Sequence, residues 1–127
     1  MNIFDKIISL FESYSFSELK LKGQLFTDRL HKHLYATDAS VYREIPQAIA
    51  YPKDSSDVVK LINFAKTKHT NLIFRTAGTS LAGQCVGNGI IVDVSKYFTK
   101  IIDFNEKKKT ITVQPGVIRD DLNAFLR

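Results

Sequence analysis

With a single cysteine, Cys85, this chain can form neither an internal disulfide nor a cysteine-rich metal site, a usage that fits a reducing compartment. It also lacks a long apolar run. No stretch approaches membrane-spanning length, and Asp5 and Lys6 interrupt the only apolar segment near the N-terminus, which carries no small-residue cleavage pattern. A cytoplasmic location is expected, with a membrane-peripheral one as the alternative. The end of the chain lacks a stop signal too. Residues 120–127 have helical apolar spacing with no glycine, asparagine or proline to close it, so a longer parent chain is expected.

What is present suits one globular core: 127 residues, 44% of them hydrophobic, with a net charge of +5. The densest basic run, Lys107-Lys108-Lys109, lies between two apolar stretches and reads as a solvated hairpin tip. Ile3, Phe4, Ile7, Ile8 and Phe11 recur at helical steps, predicting an amphipathic helix over residues 2–13. Residues 21–45 read as an irregular, docked segment. Within it, His31 and His33 have no third ligand nearby in sequence, so surface or hydrogen-bonding roles are favoured over metal binding on an extended chain.

Regular structure should follow. Ala48–Tyr51 is a short apolar run halted by Pro52, and residues 54–57 supply N-cap chemistry for a helix with Val58, Leu61, Ile62 and Ala65 on its buried face. Residues 71–74 and 89–94 have the β-branched character of strands buried on both sides. Residues 101–104 and 110–113 flank the lysine turn as a hairpin, and Pro115-Gly116 precedes a final helix. The fold class is α+β with α/β character: a small parallel or mixed sheet, flanking helices and a β-hairpin.

Between the two apolar strands runs Arg75-Thr76-Ala77-Gly78-Thr79-Ser80-Leu81-Ala82-Gly83-Gln84. Small residues let several backbone N–H groups converge on one anion, the hydroxyls of Thr79 and Ser80 can add donors, and Arg75 can add charge. A diphosphate is the ligand such a loop suits, although glycines that merely shape turns would look alike. Two standard architectures fail. Gly78 and Gly83 have the spacing of a Walker A loop, but Gln84 and Cys85 stand where lysine and a hydroxyl residue are needed. A Rossmann fingerprint opens a helix, whereas this loop leads into a strand.

From Tyr35 onward the chain resembles the N-terminal part of the FAD-binding domain of the p-cresol methylhydroxylase and vanillyl-alcohol oxidase superfamily. Five blocks carry the likeness in order: Tyr35–Tyr42, Pro52-Lys53-Asp54, Arg75–Gln84, Ile91–Ser95, and Val113–Val117 with Asp121-Leu122-Asn123. It is most similar to the branch of D-lactate, glycolate and D-2-hydroxyglutarate dehydrogenases. Residues 1–34 read as an N-terminal helix and docked irregular segment, and the resemblance implies residues 35–127 as the first subdomain, the N-terminal part of the flavin domain. It further implies that Arg75, Thr76, Ala77, Gly78, Thr79, Ser80, Leu81, Gly83 and Gln84 wrap the FAD diphosphate, with Pro115, Gly116 and Val117 as a second strip against the cofactor.

Thr79 occupies the place of the histidine that tethers FAD in covalent relatives, so non-covalent FAD is implied. Thr76 and Ala77 replace family glycines, which restricts the backbone there. In such enzymes a D-2-hydroxy acid gives a hydride to flavin N5 and the electrons pass to a separate acceptor. Catalytic residues and any iron–sulfur cluster are expected beyond Arg127, with no catalytic or metal-binding residue in this chain and little FAD retained by residues 1–127 alone. Two alternatives stay open. A flavoenzyme like UDP-N-acetylenolpyruvoylglucosamine reductase has asparagine where Leu81 stands, and a non-catalytic basic module would use Lys107–Lys109 against a polyanion, although nucleic-acid binding is not expected without interleaved aromatics.

Overall fold

The computed structural model describes residues 2–4 and 16–127 of the chain. Most of the helix expected over residues 2–13 lies outside the described residues. Residues 17–127 contain a mixed four-stranded sheet, an antiparallel hairpin and three helices. In chain order these are β1 (Gln24–Phe26), α1 (Arg29–Leu34), β2 (Ala48–Tyr51), α2 (Ser55–Lys68), β3 (Leu72–Arg75), β4 (Ile90–Asp93), β5 (Ile101–Asn105), β6 (Thr110–Val113) and α3 (Arg119–Phe125). The sheet order is β1-β2-β4-β3, and among the described residues β5 pairs only with β6.

Strand β4 is the centre of the sheet. It pairs in parallel with β2 on one side and β3 on the other, with Ile91 opposite both Ile49 and Ile73. Ile90, Ile91 and Val92 are fully buried, as an uninterrupted β-branched run with neighbours on both faces requires. Strand β3 reads the same in sequence but lies at the edge, and Phe74 is 48% exposed. On the other side, β1 closes the sheet by antiparallel pairing with β2. Residues 21–45 are thus more regular than their sequence suggests. The two histidines lie on α1 rather than on an extended chain, where Asp28 caps the helix and accepts a hydrogen bond from the His31 amide at 3.1 Å.

Helix α2 begins as expected, with the Asp54 carboxylate accepting from the amides of Ser56 and Asp57. Its buried face is rotated from the apolar pattern. Leu61 and Ala65 point inward, Ile62 is 50% exposed, and Asp57 takes an inward position with no exposed surface. A buried carboxylate survives only when its oxygens are satisfied. Asp57 accepts from the amides of Lys22 (2.9 Å), Gly23 (2.8 Å) and Lys53 (3.1 Å), with the Lys60 ammonium at 3.4 Å. One side chain thereby ties the entry to β1 to the entry to α2.

Burial pushes the Asp57 pKa up, but the three amides and Lys60 outweigh it and leave the carboxyl below its ordinary value. A group depressed on folding stabilises the protein above its unfolded pKa, and that contribution is lost as pH falls through the folded value. We predict that Asp57→Asn lowers unfolding free energy by about 2–4 kcal/mol at pH 7, since the amide nitrogen cannot accept from the backbone donors. The difference from wild type should shrink in urea titrations as pH drops below the ordinary carboxylate value of 3.8. Equal stability at pH 7 would remove the clamp from the account.

Candidate functional site

Parallel neighbours cannot be joined by a tight turn, because the chain must travel back along the strand before it re-enters the sheet. Between β3 and β4 that return is made by residues 76–89 without a helix. The loop therefore leaves the carboxyl end of β3, where Arg75 stands opposite Asp93, and the turn after β4 begins beside it at Ser95. Carboxyl ends of parallel strands are where open α/β sheets place ligands.

A cavity of about 440 Å³ opens there, lined among others by Thr76, Ala77, Ser95, Pro115, Gly116 and Asp121. Thr76 and Ala77 of the glycine loop thus share one hollow with Pro115, Gly116 and Val117 from a distant position in sequence. The second strip is held close by backbone bonds. The Gly116 amide donates to the Phe98 carbonyl at 2.7 Å, and the Phe98 amide donates to that of Val94 at 3.2 Å. A Cβ at Gly116 would lie 2.6 Å from the Val94 carbonyl oxygen and 2.7 Å from that of Phe98, so only glycine allows this approach.

Within the loop the backbone donors divide into two groups. The Ala82 and Gln84 amides donate to Ser80 Oγ, at 3.3 and 3.1 Å, and the Ser80 hydroxyl itself donates to Gln84 Oε1. The Cys85 amide is taken by Asp38 at 3.3 Å, and that of Val86 by the Gly83 carbonyl at 3.4 Å. By contrast, the amides of Thr76 through Leu81, and that of Gly83, donate to no protein acceptor among the described residues. Gly78 is buried and takes φ +67°, a turn that L side chains resist. Thr76 and Ala77 do not take positive φ, so replacing glycine at those positions costs the backbone nothing here.

Not every expected residue reaches the cavity. Val117 lines it with its two neighbours, but Arg75, Gly78, Thr79, Ser80, Leu81, Gly83 and Gln84 do not. Gly83 borders a separate hollow of about 300 Å³ beside Tyr42. Arg75 turns back behind the loop, where its guanidinium donates to the Thr37 carbonyl at 2.7 Å and lies 5.0 Å from the Tyr35 ring centroid. Residues that the sequence reading left out of the site include Ser95, Thr99 and Asp121 in the cavity wall. Beneath them Asp93, 5% exposed, accepts from the Ser95 hydroxyl (2.6 Å), the Ser95 amide (2.8 Å) and the Tyr35 hydroxyl (2.6 Å). Burial, then the bond to Asp93, holds the Tyr35 phenol far above its usual range, so it stays a proton donor.

The chain belongs to the FAD binding domain family, whose model matches residues 46–127. It is 39% identical over 109 residues to D-2-hydroxyglutarate dehydrogenase of Haemophilus influenzae, an alignment covering 84% of this chain and 11% of that protein. It is 34% identical over 85 residues to the mitochondrial cytochrome-linked D-lactate dehydrogenase of Kluyveromyces lactis, covering 64% of this chain and 15% of the relative. The chain thus spans about a tenth of the length of the Haemophilus influenzae relative and of the D-2-hydroxyglutarate dehydrogenase of Pseudomonas putida, 11% of each. Among solved structures it superposes on alkyldihydroxyacetonephosphate synthase with TM-score 0.74 at 17% identity, over 92% of this chain and 24% of the other. The 6-hydroxy-D-nicotine oxidase of Arthrobacter nicotinovorans gives 0.70 at 21% identity, over 84% of this chain and 24% of that one. The fold is therefore that of the p-cresol methylhydroxylase-type FAD-binding domain, as the five sequence blocks imply.

The residues present fit part of such a cofactor. Uncommitted amides can meet phosphate oxygens, and the cavity offers apolar surface from Ile101, Ile118 and Leu122 beside them. We predict that Gly116→Ala destabilises the protein by about 1–3 kcal/mol in denaturant unfolding, because two backbone carbonyls must move to admit one methyl group. Unchanged stability would mean that the second strip does not rest on this contact.

Proposed function

We propose that this chain supplies the diphosphate-binding part of an FAD-dependent oxidoreductase acting on a D-2-hydroxy acid of the lactate, glycolate or 2-hydroxyglutarate type. The observation that carries the cofactor half is the shared cavity: Thr76 and Ala77 open the run of uncommitted amides, and Pro115, Gly116 and Val117 form the opposite strip. The substrate half rests on the relatives named as D-2-hydroxyglutarate and D-lactate dehydrogenases.

In this reading the backbone from Thr76 to Thr79 holds the diphosphate, and the Pro115–Val117 strip bounds the cofactor from the hairpin side. Thr79 at the tethering position favours non-covalent binding. When bound, flavin supplies the hydride acceptor that no side chain can provide. This chain's own task is to fix that group and shield it from water, while residues outside it bind the substrate carboxylate, take the hydroxyl proton and pass electrons to an acceptor. Ser95 is already committed as a donor to Asp93, so toward a ligand its hydroxyl oxygen can only accept.

The full-length protein should purify with flavin absorbance bands that mild denaturation releases, and should reduce a dye with D- but not L-2-hydroxy acids. Gly78→Val should lower its FAD content, because the branched side chain cannot adopt φ +67° without strain and its Cβ would fall 2.3 Å from Arg75 Nη2. A colourless protein that takes up no added FAD would reject the cofactor assignment. Flavin reduction confined to other substrates would reject only the hydroxy-acid half.

A further inference from the structure

Arg75 looks like a phosphate ligand in sequence, and its position argues otherwise. Five contacts join the glycine loop to one neighbouring segment, residues 35–42. The Arg75 guanidinium donates to the Thr37 carbonyl at 2.7 Å and covers the Tyr35 ring. The Ala39 amide donates to the Gly78 carbonyl at 3.1 Å. Asp38 accepts from the Cys85 amide at 3.3 Å with one carboxylate oxygen and from the Ser40 amide at 2.9 Å with the other. The Tyr42 ring lies 2.7 Å from where a Cβ on Gly83 would stand.

The segment that makes these contacts is itself braced. Thr37 and Arg43 form an isolated antiparallel bridge, and the Glu44 amide donates to the Ala36 carbonyl at 3.0 Å. It therefore has a shape of its own to impose. We propose that residues 37–42 are a strap that fixes the glycine loop in its ligand-receiving form before any ligand arrives, with Arg75 and Asp38 as positioning residues rather than phosphate ligands. The strap takes the Gly78 carbonyl and the Cys85 amide, at either side of the loop's apex. What it leaves free is the run of amides from Thr76 to Leu81. Preorganising donors in this way moves the ordering cost from binding to folding.

The two side chains do different work. Arginine is suited to its place because a planar fork can stack on Tyr35 and Gly78 while donating to Thr37, which a lysine ammonium cannot do. Asp38 must present acceptors on both oxygens. Its hydrogen bonds, from Ser40 first, hold its carboxyl below the ordinary range, so the strap is ionised at neutral pH. Asp38→Asn would set an NH₂ group against one of the two amides.

This proposal rests on the cofactor reading for its binding consequence but not for its structural one. The test compares wild type, Arg75→Gln, Arg75→Lys and Asp38→Asn in the full-length protein. Hydrogen exchange of the flavin-free form follows the Ala39 and Cys85 amides, and an FAD titration follows affinity. Exchange at both amides is expected to rise at least severalfold in all three variants, with FAD affinity falling roughly tenfold, the factor expected for losing one charge-assisted hydrogen bond. Arg75→Lys should do no better than Arg75→Gln. If Arg75→Gln weakens FAD while exchange stays at the wild-type level, or if lysine restores affinity, Arg75 is a phosphate ligand and the proposal is wrong. Wild-type protein that takes up no FAD would defeat the cofactor reading, and the exchange data would still decide the strap.

Discussion

The parallel pairing of β4 between β2 and β3 is the constraint from which the site follows. A parallel pair needs a long return, and this chain makes it with residues 76–89 in irregular form instead of with a helix. A helix would have consumed its own amides. An irregular return leaves donors to be assigned one at a time, and here Ser80, Asp38 and the Gly83 carbonyl claim those of Ala82, Gln84, Cys85 and Val86 while the run from Thr76 to Leu81 remains. The Arg75–Asp93 register then sets this free run beside the turn that carries Ser95.

Two buried carboxylates hold the sheet's periphery to that centre. Asp57 gathers amides from the chain entering β1 and α2, and Asp93 gathers Ser95 and Tyr35 at the carboxyl end of β4. Each joins segments that the sheet ladder does not connect. Polar groups cost free energy when buried unless fully paired, so each fixes the position of its partners more sharply than an apolar contact could. Tyr35 is shared between this network and the Arg75 guanidinium, which links the carboxyl end of β4 to the start of the loop.

How much of this was legible in sequence depended on whether the deciding contact was local. The Asp54 cap, the buried β4 run and the lysine hairpin tip are written in neighbouring residues, and all appear as read. Strand β3 has the same apolar character as β4, and only sheet order makes it an edge. Ile62 against Asp57 inverts the usual rule, because the amides that justify burying Asp57 lie more than thirty residues away along the chain at Lys22 and Gly23. Strand β1 is three residues long and borrows its stability from β2, which no local pattern announces. On the proposed reading, Arg75 shows the same limit within the site itself. A basic residue opening a glycine loop suggests an anion ligand, but a carbonyl at Thr37 and a ring at Tyr35 claim it first.

The disposition of charge bears on how an anion would be held. The triple-lysine run sits at the tip of β5–β6, Arg75 is turned behind the loop, and the cavity wall itself contains Asp121 and no lysine or arginine. On the proposed reading, affinity for a diphosphate therefore comes from oriented backbone dipoles and not from side-chain cations. Dipoles fixed by the fold act over short range and demand accurate placement, whereas a mobile lysine would attract any anion. Such a site gains selectivity for a ligand whose phosphates sit at one fixed distance from an apolar moiety, and pays for it in sensitivity to loop shape. Conformation at Gly78 and Gly116, and not the net charge of +5, is then what determines binding.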